Sequence, residues 1–151
     1  MSADGLVANC SLPTTQFDDM TLDLGIGDGV SLIPLHSEPS LWMNSDGYYW
    51  FLHPLFERLR SETGQYIDLY GDASFSGTSL SALERMVVDA TMLVQAQPAT
   101  WQVHTGTQMS PEHKELYENV QKDRFLALLA NWKEIIARAK KIGKPVVCFG
   151  D

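Results

Sequence analysis

Four groups of residues in this chain could do chemistry: the histidines, the cysteines, a Gly/Ser/Asp-rich stretch at 71–77, and tyrosines that alternate with acids. His36, His53, His104 and His113 are scattered singly, and Cys10 and Cys148 lie near opposite ends. A zinc site needs three or four such ligands at workable geometry, and neither HExxH nor CxxC spacing occurs. Each histidine is expected as a surface or half-buried side chain, with no metal and no other cofactor. A Cys10–Cys148 bridge is geometrically open, since domain termini often lie close together; two free thiols in a reducing compartment are the expectation. Val146, Val147 and Phe149 around Cys148 make it a small buried hydrophobe rather than a nucleophile. Gly25-x-Gly27-x-Gly29 lacks the Lys-Ser/Thr of a P-loop and the spacing of a dinucleotide fingerprint, and Asp23 and Asp28 would repel phosphate.

The stretch Gly71-Asp72-Ala73-Ser74-Phe75-Ser76-Gly77 falls between a strand pattern and a helix pattern, where a nucleophile elbow would sit, but GxSxG spacing is absent. Ser, Gly and Asp are also what a turn and a helix cap use. Asp68 and Asp72 share a side, as an acid–base pair would, only if the strand runs on through Gly71. A small hydrolase or transferase using residues 68–77 is therefore the alternative reading. The favoured reading is a binding surface made of Tyr66, Asp68, Tyr70 and Asp72, joined by Asp23 and Asp28. Tyrosines give rigid contact area with a polar tip, and aromatic residues are enriched at binding hot spots.

The charge distribution sets the kind of partner. The chain has 151 residues and a net charge of −8, from 19 acids against 11 Lys and Arg. Asp4, Asp18, Asp19, Asp23, Asp28, Glu38, Asp46 and Glu57 precede the first base, Arg58, so residues 58–151 hold the other 11 acids and all 11 bases and are neutral. A region of one sign repels nucleic acid and anionic membranes and attracts a basic protein. Lys114, Lys122, Arg124, Lys133, Lys140 and Lys141 interleave with acids and read as a solvated face rather than a nucleic-acid stripe. No apolar run is long enough to span a bilayer, and no signal peptide is read at the start, so a cytoplasmic protein is expected.

The elements that must position these groups follow from periodicity. The length suits one domain over 1–151, with 1–18 as an irregular arm. Thr21-Leu22-Asp23-Leu24 alternates as a half-buried strand, Asp28-Gly29 is a turn signal, and Val30-Ser31-Leu32-Ile33 completes an N-terminal hairpin. Tyr48, Phe51, Leu52, Leu55, Phe56 and Leu59 form a helical stripe, capped at Ser45 or Asp46 and closed at Gly64. Pro54 either kinks this helix, the favoured reading, or opens it after a strand at 48–52. Tyr66-Ile67-Asp68-Leu69-Tyr70 alternates as a strand, and a second helix runs from about Thr78 to Gln95 with Thr78 or Ser79 as cap. Thr100 to Thr105 is a strand with Trp101 and Val103 inward. Ser110-Pro111-Glu112 reads as the start of a third helix reaching Lys141, with a break before Gln121. Pro145 to Phe149 is a short buried strand. The sum is an α+β domain: one mixed sheet of about five strands with an N-terminal hairpin, and three helices mainly on one face.

Three segments carry a family resemblance: Tyr48-Tyr49-Trp50-Phe51-Leu52-His53-Pro54-Leu55-Phe56-Glu57-Arg58-Leu59, Thr63-Gly64-Gln65-Tyr66-Ile67-Asp68-Leu69-Tyr70, and Val147-Cys148-Phe149-Gly150-Asp151. They resemble parts of small bacterial immunity proteins of polymorphic toxin systems, including contact-dependent inhibition. The resemblance covers about a sixth of the chain and transfers no residue roles. It implies a non-enzymatic function, neutralising a cognate toxin by binding it in the cytoplasm. A structural or oligomeric accessory protein is the third reading.

Overall fold

The computed structural model describes residues 21–43 and 45–150. The expected arm at 1–18, Cys10, Asp4, Asp18 and Asp19 lie outside the described residues. In chain order the elements are β1 (Leu22–Ile26), β2 (Ser40–Met43), α1 (Asp46–Thr63), β3 (Asp72–Phe75), α2 (Gly77–Gln95), β4 (Thr100–Gln108), β5 (Lys114–Gln121), α3 (Lys122–Ile142) and β6 (Val146–Gly150). The class is α+β. The expected single mixed sheet is replaced by two sheets whose pairs are all antiparallel: four strands in the order β2-β1-β6-β3, and a two-stranded ribbon of β4 and β5.

The helices form where period and caps agree. In α1, Leu52, Leu55, Phe56 and Leu59 are buried on one stripe, and Gly64 closes the helix in the left-handed conformation at φ 78°. Pro54 lies inside this helix, so the favoured helical reading holds over the strand at 48–52. The cap of α2 lies two residues before Thr78: Ser76 precedes the helix, and its N–H donates to the Ser79 hydroxyl at 2.9 Å. This is one half of a reciprocal capping box.

Two strand assignments and one helix start are corrected. The hairpin exists, but β1 pairs with Ser40–Met43 rather than with residues 30–33. Asp28 Oδ1 accepts the N–H groups of Val30 and Ser31, both at 2.7 Å, so the side chain takes donors that a ladder would use. Residues 65–70 are not a strand either. The strand is Asp72–Phe75, within what reads as a turn. Finally, Pro111 does not open a helix. Residues 109–113 link β4 to β5, and α3 starts only at Lys122. Leu116 and Val120 are four apart, a spacing that fits a helical stripe and one face of a strand alike. Pairing with β4 decides for the strand.

The alternation of the sheet separates its two faces. Leu22, Leu24 and Ile26 of β1, with Cys148 and Val146 of β6 and Ala73 and Phe75 of β3, are buried in one core with the stripes of all three helices. Trp132, Phe56, Phe125 and Phe75 are the largest fully buried side chains there. Cys148 is a free, buried thiol, and burial pushes its ionisation far up, as expected of a small hydrophobe. No helix among the described residues is long and apolar enough to cross a membrane.

Candidate binding surface

The other face of the four-stranded sheet holds the alternate residues. Directly paired residues of antiparallel strands point the same way. The registers Asp23↔Trp42, Asp23↔Phe149 and Asp72↔Phe149 therefore place Trp42, Asp23, Phe149 and Asp72 in one row across four strands. At about 4.8 Å per strand, Asp23 sits between two aromatic side chains, and Asp72 lies roughly 10 Å away, beyond Phe149. Trp42 is 67% exposed.

Among the described residues, the cover on this face is the loop at 27–39. Pro34 packs on Gly25, where an added Cβ would come within 2.7 Å of the proline ring, and Gly27 packs on Val147. Leu35 N–H returns to Ile26 O at 2.8 Å, and Glu38 is held by Arg138 of α3, whose Nε donates at 2.9 Å. The loop turns Val30, Leu32 and Ile33 outward. Between it and Trp42 lies a cleft of about 300 Å³, with Asp23, Pro34 and His36 on its walls.

The six sequence-expected residues divide. Asp23 and Asp72 are brought onto this face. Asp28 is exposed at the start of the covering loop, and the N–H groups of Ser31 and Val30 hold its carboxyl below the usual range. Tyr66, Asp68 and Tyr70 do not share a face, because the segment is not extended as a strand. Tyr66 turns toward α1: its hydroxyl lies 2.9 Å from His53 Nε2, and the Arg60 guanidinium sits 4.8 Å over its ring. Asp68 bends the chain, its Oδ1 accepting Tyr70 N–H at 3.3 Å, and Tyr70 stands 68% exposed. The reason is Gly150. A methyl there would run into the Asp68 and Leu69 backbone, so this segment crosses β6 in close contact instead of pairing beside it.

The chemistry available to the alternative enzyme reading is narrow. Ser74 lies within β3, and its N–H is taken by Gln65 Oε1 at 3.0 Å. Tyr49 and Tyr66 are both pushed up by burial, so neither is a ready phenolate; Tyr49 also donates to Ile67 O at 3.0 Å. No group of His, Cys, Asp and Glu able to hold a metal ion forms among the described residues. The nearest gathering is on the ribbon, where Glu115 takes His104 at 2.7 Å on one oxygen and His113 at 3.2 Å on the other. The His104 contact, and then Thr107, hold the Glu115 carboxyl down.

The one-signed front of the chain is partly offset in space. Of its eight acids, less the three outside the described residues, five remain. Glu38 pairs with Arg138, and Glu57 lies 3.4 Å from His53 and 4.0 Å from Arg60. Asp28 is bound by backbone, and Asp23 and Asp46 are engaged within the chain as well. The acidity that faces outward with aromatic company is thus the Asp23–Asp72 row rather than the whole stretch.

Trp42 and Phe149 were not singled out by sequence reasoning. The signal was there for Trp42: Leu41-Trp42-Met43 is a β-prone run between Pro39 and the Ser45 cap, and a strand of that length turns alternate residues outward. No protein-family model, curated protein or solved structure matches this chain, so the arrangement of Trp42, Asp23, Phe149 and Asp72 stands on its own geometry.

Proposed function

We propose that this chain is a non-enzymatic binding protein of the immunity type, which neutralises a cognate toxin in the cytoplasm by covering its basic active-site surface. The observation that carries the reading is the row Trp42–Asp23–Phe149–Asp72 on the face of the sheet that, among the described residues, no helix covers. The exposed Trp42 and the half-buried Phe149 supply contact area that is already rigid, and the carboxylates beside them favour a positively charged counterpart and reject an anionic one. The net charge of −8 adds long-range attraction for a basic protein. The enzyme alternative has less support, because its expected elbow at 71–77 is largely strand, with Ser74 inside the ladder.

The test is direct binding to the toxin encoded beside it, measured by calorimetry across a salt series. Binding that weakens steeply from 50 to 500 mM salt is expected, and a toxin activity that falls in step with occupancy. Failure to bind, or an affinity indifferent to salt, removes the electrostatic occlusion mechanism.

A further inference from the structure

We infer that the cleft between Trp42 and the 33–36 segment is a pocket for one arginine side chain of the partner protein, an inference that rests on the binding reading above and names what the partner must present. Trp42 and Asp23 are direct cross-strand partners on the same face, so the indole and the carboxylate stand side by side. Ile33, Pro34 and Leu35 form the opposite, mainly apolar wall, His36 completes the rim, and the enclosed space is about 300 Å³. Among the described residues, no lysine or arginine lines it.

Each part of this cleft matches one part of an arginine. A guanidinium stacks on an indole face through cation–π attraction, and its N–H fork suits a carboxylate. The three-methylene stem needs apolar walls, which Ile33, Pro34 and Leu35 provide. A lysine satisfies the charge but not the planar stacking, so it is the weaker occupant. An aspartate or glutamate would meet Asp23 at close range and is rejected. Asp23 already interacts within the chain; a carboxylate has about four acceptor positions, so a second partner does not require the first to leave.

The pocket is tested on the full chain with Nα-acetyl-arginine methylamide as probe, read on the Trp42 indole N–H resonance, which is identified by its loss in Trp42→Phe. The capped arginine is expected to shift that signal saturably in the millimolar range, capped lysine more weakly, and capped norleucine at equal ionic strength not at all. Asp23→Asn, which keeps the side-chain volume, is expected to weaken the arginine titration roughly tenfold, the scale of one charge-assisted hydrogen bond. Norleucine binding as well as arginine, or an Asp23→Asn titration that overlays the parent, overturns the pocket. Should Asp23→Asn fail to fold, Trp42→Ala at its exposed position decides, with loss of arginine binding read on the neighbouring backbone amides. The two proposals fail separately. Arginine binding with no salt-sensitive capture of a basic toxin leaves the pocket and removes the immunity reading. A toxin bound with unchanged affinity by Trp42→Ala and Asp23→Asn leaves that reading and removes the pocket.

Discussion

The two faces of the four-stranded sheet are built from the same strands and differ in every alternate residue. One face presents Leu22, Leu24, Ile26, Cys148, Ala73 and Phe75 to the helices, nearly all of them wholly inaccessible. The other presents Trp42, Asp23, Phe149 and Asp72 and is covered, among the described residues, by a loop. A strand's period of two lets a protein assign stability to one side and recognition to the other with little interference. Substitutions should therefore separate into two classes, and each of the following can break that division.

The largest effect is expected on the helix side. Leu24→Ala removes a fully buried side chain and should cost about 2–5 kcal/mol by urea denaturation. Gly150→Ala should come next, at roughly 1–3 kcal/mol, because its methyl meets the Asp68–Leu69 backbone, which cannot swing aside as a side chain could. Tyr49→Phe should cost about 1 kcal/mol, leaving Ile67 O without its phenol donor.

Tyr49 also sets an alkaline limit. Burial raises its folded ionisation above the unfolded value, so its contribution is complete below about pH 10 and is lost as pH rises beyond it. Tyr49→Phe should blunt that alkaline loss in a pH series of denaturation midpoints. The opposite sign holds for Glu38, which Arg138 holds below the usual carboxylate range. Its contribution is present above about pH 4.3 and is lost as pH falls through the lowered folded value. Glu38→Gln should flatten the acid limb slightly and, by loosening the loop at 27–39, alter the open face more than the core.

The smallest stability effect belongs to Trp42→Ala, expected within about 0.5 kcal/mol of the parent because the indole is mostly in water. A cost above about 2 kcal/mol would show that the open face also holds the fold, and the division between the two sides would fail.

What the sequence reveals follows from where the information lies. α1 and α2 are legible because their apolar stripes span many turns and end in Gly64 and near Pro98, and β6 because Val146-Val147-Cys148 leaves no polar side. Residues 66–70 alternate as a strand would, but tertiary contacts win: Tyr66 reaches His53, and Asp68 bends the chain at Tyr70. The third helix is placed eleven residues early by Ser110-Pro111-Glu112, since local cap chemistry carries no knowledge of a partner strand. Asp23 and Asp72 fall in one row of the sheet, but not on a face shared with Tyr66, Asp68 and Tyr70; Trp42 joins that row by pairing with nearby β1, and Phe149 by pairing with Asp23, a residue more than a hundred positions away. Arg138 on Glu38 is of the same kind: composition shows an unopposed acidic front, and folding brings a base from the far end to meet it.

The amide of Gln65 on Ser74 N–H has a consequence for how these molecules treat one another. Among the described residues β3 is the outermost strand on its side, and a bare border of that sort templates the addition of foreign chain. Occupying one of its donors with a fixed side chain caps the border, so that crowding at high concentration finds fewer places for a neighbouring extended segment to stitch on. The same glutamine that tidies one loop thereby helps keep the sheet from growing into a fibril.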